Sequence, residues 1–282
     1  MAQSLTRGVR EPAQAGRFYD EDAGQLRSRV RELIGPAAPA EGGAPRFLVS
    51  PHAGYIYSGR VAGAAYRQVA GRPIDRVAVL GPSHYEEFEG GALASAVTWR
   101  TPLGDVPVDA EAAQALLAEP GYALNDAAHG PEHSVEVQLP FLQVALGGGF
   151  SIVPILFGRP PAAGLEEAAA GLRRVVEGWG RQGLTWLVVA SSDTYHGYDG
   201  DSCRENDRRL RGLFEAFDPA ALQGAFHRRE VMACGWVPIM VAMLVARAME
   251  ARPARAIDRA DSREATGESG GYVVGYFAGA IG

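Results

Sequence analysis

Three histidines of this sequence follow short apolar segments of the kind that form buried strands: His52, His84 and His196. In open α/β sheets, ligands bind in the crevice beyond the carboxyl ends of the strands. Imidazole nitrogens bind transition metals and exchange protons near neutral pH. Taken singly, His52 or His84 is equally well explained as a hydrogen-bonded loop histidine. Together they predict two neighbouring parallel strands whose histidines share one metal ion.

Cys234 is the third candidate ligand, because it lies where a strongly apolar helix is predicted to begin. At a helix N-terminus, the dipole and the free N–H groups favour the thiolate, which is the form that binds metals. The alternative is a small buried hydrophobic residue, as most free cysteines are. Cys203 lies in a polar segment and has no convergent partner. Two such cysteines predict free thiols in a reducing compartment.

Asp193 and His196 are three residues apart after the same predicted strand. Either side chain could orient a substrate, and His196 could act as a general base. A capping network, in which Asp193 bonds backbone groups at the strand end, explains the pair equally well. His129 and His227 have no convergent partner and are predicted to lie at the surface.

His133 and Glu136 are also three residues apart, which places them on one face if the segment is helical. They are predicted to line the pocket or to support the metal ligands from behind. Helix-start capping around Ser134 is at least as good an explanation. Tyr55 and Tyr57 follow His52 and could offer hydroxyl groups to a ligand, although tyrosines are common in core loops.

Hydrophobic periodicity predicts an α/β chain. Strands are predicted at 46–49, 76–80, 151–157, 185–190, 254–258 and 272–280, and helices at 23–34, 60–70, 165–178, 204–217 and 236–249. A hairpin is predicted from 92–99 and 106–108, followed by a helix that Asp109 caps. Residues 134–146 have helical spacing with a kink at Pro140. Residues 10–20 and 259–271 are predicted to be irregular, and Asp218 to cap a short helix.

The 282 residues suit one large domain or two small ones, and the linker at 35–45 is too poor in polar residues to divide them. We therefore expect a single domain over residues 1–282. A net charge of −6 gives no indication of the positively charged surface that nucleic-acid binding requires. The longest apolar segment is too short for a bilayer, which needs about 20 residues, and the N-terminus has no apolar signal region. These features predict a cytoplasmic protein. No nucleotide-binding glycine loop, serine-hydrolase elbow or Cys-x-x-Cys pair occurs.

Motifs along almost the whole chain resemble those of the Memo family, which is similar to the LigB-type class III extradiol ring-cleaving dioxygenases. They are the segments 12–19, 51–59, 80–84, 101–104, 132–142, 191–193, 234–235 and 273–276. Together these motifs are highly specific. The resemblance implies a central mixed, mostly parallel sheet flanked by helices, with a metal pocket at one end.

The resemblance also implies roles for the candidate residues. His52 and His84 match the histidine ligands of the iron dioxygenases, and His196 matches the position of their catalytic base. Cys234 stands where those enzymes carry a glutamate ligand, and a thiolate alters the preference among Fe(II), Cu and Zn. The segment 194–197 reads Thr-Tyr-His-Gly, whereas the family more often has Ser before the histidine and Tyr after it. Bacterial relatives are described as components of a three-protein set that includes a radical-SAM protein.

Three functions follow as expectations. The first is an Fe(II)-dependent, oxygen-using enzyme that acts on a small molecule, with Cu or Zn as alternative metals. The second is a non-catalytic module in which the pocket that corresponds to the dioxygenase active site holds iron or copper, or docks a peptide or partner. The third is metal-assisted hydrolysis, in which a metal-bound water attacks the substrate.

Overall fold

The computed structural model describes residues 5–37, 44–161, 164–268 and 270–282. The strands are β1 (Thr6–Arg10), β2 (Phe47–Ser50), β3 (Arg76–Pro82), β4 (Gly91–Leu93), β5 (Ala96–Thr101), β6 (Gly104–Pro107), β7 (Tyr122–Leu124), β8 (Ser151–Phe157), β9 (Trp186–Ser191), β10 (Asp193–Gly197), β11 (Ala254–Asp261) and β12 (Val273–Ile281). The α-helices are α1 (Ala23–Ile34), α2 (Tyr55–Arg67), α3 (Ala110–Leu117), α4 (Asp126–His129), α5 (Leu139–Leu146), α6 (Leu165–Arg181), α7 (Gly200–Glu215), α8 (Pro219–His227), α9 (Trp236–Ala248) and α10 (Ser262–Thr266). Part of the linker predicted at 35–45, residues 38–43, lies outside the described residues.

The main sheet has a parallel centre with antiparallel flanks, so the predicted mixed α/β fold is confirmed. Its order is β10-β12-β2-β9-β3-β8-β4-β7, with β11 also paired to β12. Strands β2, β9, β3 and β8 run parallel, whereas β12 and β4 join them antiparallel. The apolar residues of β3 and β9 are buried, as expected of central strands covered on both faces. Helix α9 packs against β9 and β3, and α6 packs against α9. Strands β1, β5 and β6 form a separate sheet.

The prediction that the two histidine-bearing strands are direct neighbours is wrong. Strand β9 lies between β2 and β3 and is parallel to both. Because consecutive strands of such a sheet can be separated by a strand from later in the chain, spacing along the sequence could not show this. The three carboxyl ends still share one edge, so β9 adds its own terminal residues to the site.

Three other predicted elements differ from the structure. The predicted strand 92–99 divides into β4, in the main sheet, and β5, which forms the expected hairpin with β6. Pro140 does not kink a helix: it lies in the first turn of α5, after a 3₁₀ turn at Glu136–Gln138. A first-turn N–H has no intrahelical acceptor, so a proline is tolerated there. The region 10–20, which was predicted to be irregular, begins at the last residue of β1. The region 259–271, also predicted to be irregular, contains the end of β11 and the whole of α10.

Among the described helices, none is long and apolar enough to cross a membrane.

Helix α7 carries a buried carboxylate that supports β10. Asp207 is 1% exposed, and its Oδ1 accepts a hydrogen bond of 2.5 Å from the Thr194 hydroxyl. Its Oδ2 has no partner among the described residues. Burial raises the pKa of Asp207 from 3.8 to about 6.

Asp207 is therefore expected to make stability depend on pH. Because its folded pKa lies above the ordinary value, its contribution is complete below about pH 4 and is lost as pH rises through 6. Asp207→Asn should consequently gain stability relative to the unmodified protein, by up to about 3 kcal/mol, between about pH 4 and about pH 7.5. Urea unfolding of both proteins across this range measures the difference. A difference that stays constant with pH would contradict the prediction, and exposed Asp201→Asn is the control.

Candidate metal site

Three imidazoles converge at the carboxyl edge of the parallel strands. His52, His84 and His133 each offer one ligand atom, and these atoms all lie within 4.8 Å of one another. The ring of His84 stacks on that of His133 at 4.5 Å, and the ring of His52 meets both edge-on at 5.2 and 5.3 Å. His52 is buried, His133 is partly buried and His84 is exposed. This arrangement places a candidate metal site between a closed interior and an open mouth.

The proton of His52 is positioned by the end of β9. His52 Nδ1 lies 2.8 Å from Ser191 Oγ. The Ser191 hydroxyl already donates its only proton to the Ser134 carbonyl, at 2.6 Å. It must therefore accept from His52 Nδ1, which carries the proton. His52 Nε2 therefore carries no proton, which is the form that a metal ion requires.

Gln138 holds this chain of hydrogen bonds in place. Its Nε2 donates to the Pro51 carbonyl and to Ser191 Oγ, both at 2.9 Å. Its Oε1 accepts from the Tyr66 hydroxyl at 2.8 Å. A carbonyl can only accept, so the orientation of the Gln138 amide is determined by its neighbours. Gln138 thus supports the conclusion that His52 presents Nε2 to the site.

Glu132 orients the second histidine. Its Oε2 accepts the His84 backbone N–H at 2.6 Å, and its Oε1 lies 2.9 Å from His84 Nδ1. Although burial opposes ionisation, the hydrogen bond from the His84 ring and the nearby histidines lower the pKa of Glu132 to about 2. A carboxylate that accepts from one ring nitrogen leaves the other free to bind metal, as in many zinc sites. His84 therefore presents Nε2.

The same carboxylate shapes the loop that carries His133. Glu132 Oε1 accepts the N–H groups of His133 and Ser134, both at 2.9 Å. Ser134 Oγ donates to the Pro82 carbonyl at the end of β3. A Cβ at Gly81 would lie 2.4 Å from Ser134 Oγ, so only glycine allows this approach. The loop is thereby joined to the strand that precedes His84.

His133 has an unused ring nitrogen. Its Nδ1 is buried and lacks a hydrogen-bond partner among the described residues, although Glu132 Oε1 is 3.2 Å away. The distance is short, but the two groups are not aligned for a hydrogen bond. Burial lowers the pKa of His133 to about 4, so the ring is neutral at pH 7. A neutral imidazole beside two others suits a metal site.

Glu136 points away from the pocket. Its carboxylate is fully buried and pairs with Arg10, and it accepts the N–H of Gln14 at 2.8 Å and the Tyr19 hydroxyl at 2.5 Å. The residue belongs to the 3₁₀ turn after the loop and does not share a helical face with His133. Glu136 therefore ties the N-terminal segment to the site loop without lining the pocket itself.

Cys234 lies against the first histidine. Its Sγ is 3.1 Å from His52 Nε2, and its N–H donates to the Asp193 carbonyl. The next residue, Gly235, has no room for a side chain, because a Cβ would lie 2.3 Å from the Ser191 carbonyl oxygen. Burial, and then the charge of Asp193, raise the pKa of the Cys234 thiol, against the expectation that the helix start would lower it. Without a bound cation, the thiol keeps its proton.

Asp193 and His196 are separated by the geometry of β10. Asp193 is buried and accepts the His52 N–H at 2.8 Å, so it secures the turn that carries His52. Burial raises its pKa to about 7. His196 is exposed, lies within β10 and not in a loop, and has its ring 6.2 Å from that of Tyr272. Burial lowers the pKa of His196, and the charge of His84 adds to the effect.

The remaining candidates take other positions. The Tyr55 hydroxyl is buried and donates to the Val137 carbonyl at 2.6 Å, so it is not available to a ligand. Tyr57 is 39% exposed at the start of α2. The prediction that His129 lies at the surface is wrong, because the ring is buried and edge-on to Trp99. His227 is exposed.

Two cavities open beside Cys234. One, of about 370 Å³, includes His196 and Trp236 in its lining. The other, of about 400 Å³, shares Cys234 and Trp236 and adds Glu86 and Arg159. A small molecule in either cavity would lie next to the thiol.

Sequence reasoning passed over Glu132 and Ser191 as functional residues. Glu132 directly precedes His133, and an acidic residue beside a candidate ligand was an available signal. Ser191 ends a predicted strand, as the histidines do, but nothing in its type indicated that it would fix a tautomer.

A parallel sheet whose carboxyl edge presents three imidazoles and a thiol defines an α/β protein with a candidate metal site. A family described as "Memo-like protein" matches residues 10–280. The chain is 35% identical over 280 residues to a MEMO1 family protein of Methanopyrus kandleri, covering 95% of this chain and 97% of the relative. It is 36% identical over 279 residues to a MEMO1 family protein of Aeropyrum pernix, covering 95% and 98%. The chain belongs to the Memo family.

Proposed function

We propose that the protein binds a transition metal ion through His52 and His84, with His133 and Cys234 completing the site. The observation that supports this most directly is the convergence of three imidazole ligand atoms within 4.8 Å of one another. Ser191 and Glu132 contact Nδ1 of His52 and of His84, which leaves Nε2 of both rings facing the site. His133 has a buried nitrogen without a hydrogen-bond partner among the described residues. These donors fit a metal ion, because imidazole suits iron, copper and zinc.

The protonation states of His52 and Cys234 bear on how the metal would be held. Burial, followed by the charges of His84 and His133, lowers the pKa of His52 well below its ordinary value. An imidazole that binds a metal ion brings no negative charge, so the full positive charge would stay on the ion and would favour loss of the Cys234 proton. We infer that Cys234 joins as a thiolate when the metal binds.

The preferred function is oxygen- or redox-linked chemistry with Fe(II) on a small molecule. A bound Fe(II) would supply open positions for oxygen and substrate. His196 lies at the exposed side, where it can move a proton, and Asp193 secures the His52 turn from behind. Ser191 and Glu132 hold the Nδ1 atoms of His52 and His84, so that Nε2 of each ring would be presented to a bound ion. Similarity of the motifs to extradiol dioxygenases supports this function.

Metal content is the first test. The protein is purified without chelator and analysed for Fe, Cu and Zn, together with His52→Ala and the control His227→Ala. About one metal ion per chain in the unmodified protein and in His227→Ala, with loss in His52→Ala, is expected. No metal above trace in the unmodified protein, even after loading with Fe(II), would refute the proposal. Oxygen uptake by Fe(II)-loaded protein with catechols and related diols then tests the chemistry.

Cobalt substitution distinguishes the third and fourth ligands. If Cys234 binds as a thiolate, the Co(II) protein shows thiolate-to-metal charge-transfer absorption, and Cys234→Ser removes it. Retention of that absorption in His133→Ala would identify the cysteine as a ligand independent of His133. Absence of the band in the unmodified Co(II) protein would exclude thiolate ligation.

The thiol supports a second candidate function, the non-catalytic holding of copper. Reduced copper favours thiolate and imidazole ligands. Copper occupancy without oxygen uptake on any substrate would favour this function over the enzyme.

A further inference from the structure

The cavity that contains His196 differs in charge from its neighbour across Cys234. Among the described residues, no carboxylate lines the His196 cavity, whereas Glu86 and Glu87 line the other. The chain as a whole has a net charge of −6. Because Arg229 lines this cavity and no described carboxylate does, the cavity favours anions over cations.

One cation in the His196 cavity has no ion-pair partner in the described part of the chain. Arg229 lines this cavity, and no carboxylate among the described residues pairs with it. The neighbouring Arg228 and the nearby Arg209 both pair with Glu230. The guanidinium of Arg229 is therefore available to an anionic ligand, which it can bind through two parallel hydrogen bonds.

The wall of the cavity is apolar and aromatic. Phe226, Met232 and Trp236 contribute to it. The rings of Phe226 and Trp236 lie 5.7 Å apart, and the His227 ring meets Trp236 edge-on at 5.6 Å. At about 370 Å³, the cavity has the size of a small-molecule site. An apolar wall with one cation suits a ligand that has an apolar body and one anionic group.

Arg229 occupies a backbone position that favours glycine. Its φ is +58°, just after α8 ends. Phe217 and Glu250 have similar φ values of +51° and +56° after α7 and α9. Glycine is the usual residue at such helix ends, because a side chain is strained there. Replacing any of the three with glycine should therefore be tolerated by the fold, which gives matched variants.

We propose that this cavity binds the substrate of the site as a small apolar carboxylate, with the carboxylate on Arg229 and the apolar body against Trp236. The inference rests on the proposed function only in calling the ligand a substrate. Because the cavity borders Cys234 and His196, a ligand held there lies beside the candidate metal and its proton carrier.

Binding of three ring compounds tests the proposal. Benzoate, benzyl alcohol and benzylamine are titrated into the full chain, and binding is followed by tryptophan fluorescence and ligand NMR. Benzoate should bind about tenfold or more tighter than benzyl alcohol, and benzylamine should bind weakest. Arg229→Gly should remove the preference for benzoate, and Arg229→Lys should retain part of it. Glu250→Gly, which replaces a residue of similar φ outside the cavity lining, should bind the three compounds as the unmodified protein does.

Equal binding of benzoate and benzyl alcohol by the unmodified protein would overturn the proposal, as would an unchanged preference in Arg229→Gly. The titrations use chelator-treated protein and are repeated with His52→Ala, so that no metal can bind the carboxylate. Failure of the metal proposal would leave the benzoate preference intact. Failure of the carboxylate proposal would leave metal content unchanged.

Discussion

Replacing Arg10 with methionine is expected to lower the free energy of unfolding by about 3–5 kcal/mol. Arg10 is 7% exposed and pairs with the fully buried carboxylate of Glu136. Its guanidinium also donates to the carbonyls of His129, Gly130 and Glu132, and lies 4.7 Å over the Trp99 ring. Removal of the cation leaves a buried carboxylate without its counter-ion, and three carbonyls without a donor.

Urea unfolding at neutral pH measures the effect. Arg100→Met is the matched control, because Arg100 pairs with Glu11 and Asp105 at the surface. Exposed pairs contribute about 0–1 kcal/mol, so the control should unfold almost as the unmodified protein does. The double variant Arg10→Met with Glu136→Gln should recover part of the loss, since no buried charge remains. Equal stability of Arg10→Met and Arg100→Met would contradict the assigned role.

The positions of His52 and His84 could be predicted because strand ends are visible in the sequence. An apolar segment followed by a turn marks a carboxyl end, and parallel strands bring their carboxyl ends to one edge. The bounds of α1 were predictable for a similar local reason: the helix is found at Ala23–Ile34, where Leu26, Val30 and Ile34 form one buried face. Helix α2, in contrast, begins at Tyr55 and not at the predicted residue 60.

Glu132 could have been noticed beside His133, but its contact with His84 and the other contacts around the candidate ligands could not be predicted, because they join distant parts of the chain. Glu136 was expected to serve the pocket, yet the N-terminal segment supplies Arg10 and buries the carboxylate. The insertion of β9 between two earlier strands brought Ser191 to His52 across 139 residues. Cys234 was expected to ionise at a helix start, but burial outweighs the helix dipole. In each case, tertiary packing decided the outcome.

Glu132→Gln is expected to lower metal affinity about 10–100-fold. The carboxylate accepts the ring and backbone N–H groups of His84 and the backbone N–H groups of His133 and Ser134. Glutamine has one oxygen and one NH₂ group, so one of these donors would face another donor. The variant also loses the negative charge that makes the His84 ring a stronger ligand. Competition titration of the metal-free protein with Zn²⁺ or Co²⁺ against a chromophoric chelator measures the affinity.

Glu86→Gln is the control for that titration, since Glu86 is exposed near the site and does not contact a candidate ligand among the described residues. Circular dichroism establishes first that both variants are folded. A true orienting role predicts weaker metal binding with unchanged stoichiometry, because the ligands themselves remain. A change below about twofold would show that Glu132 organises the loop without tuning the metal, whereas loss of all binding would show that the loop has collapsed. Weaker binding with unchanged stoichiometry would therefore show that Glu132 orients His84 and does not merely support the fold.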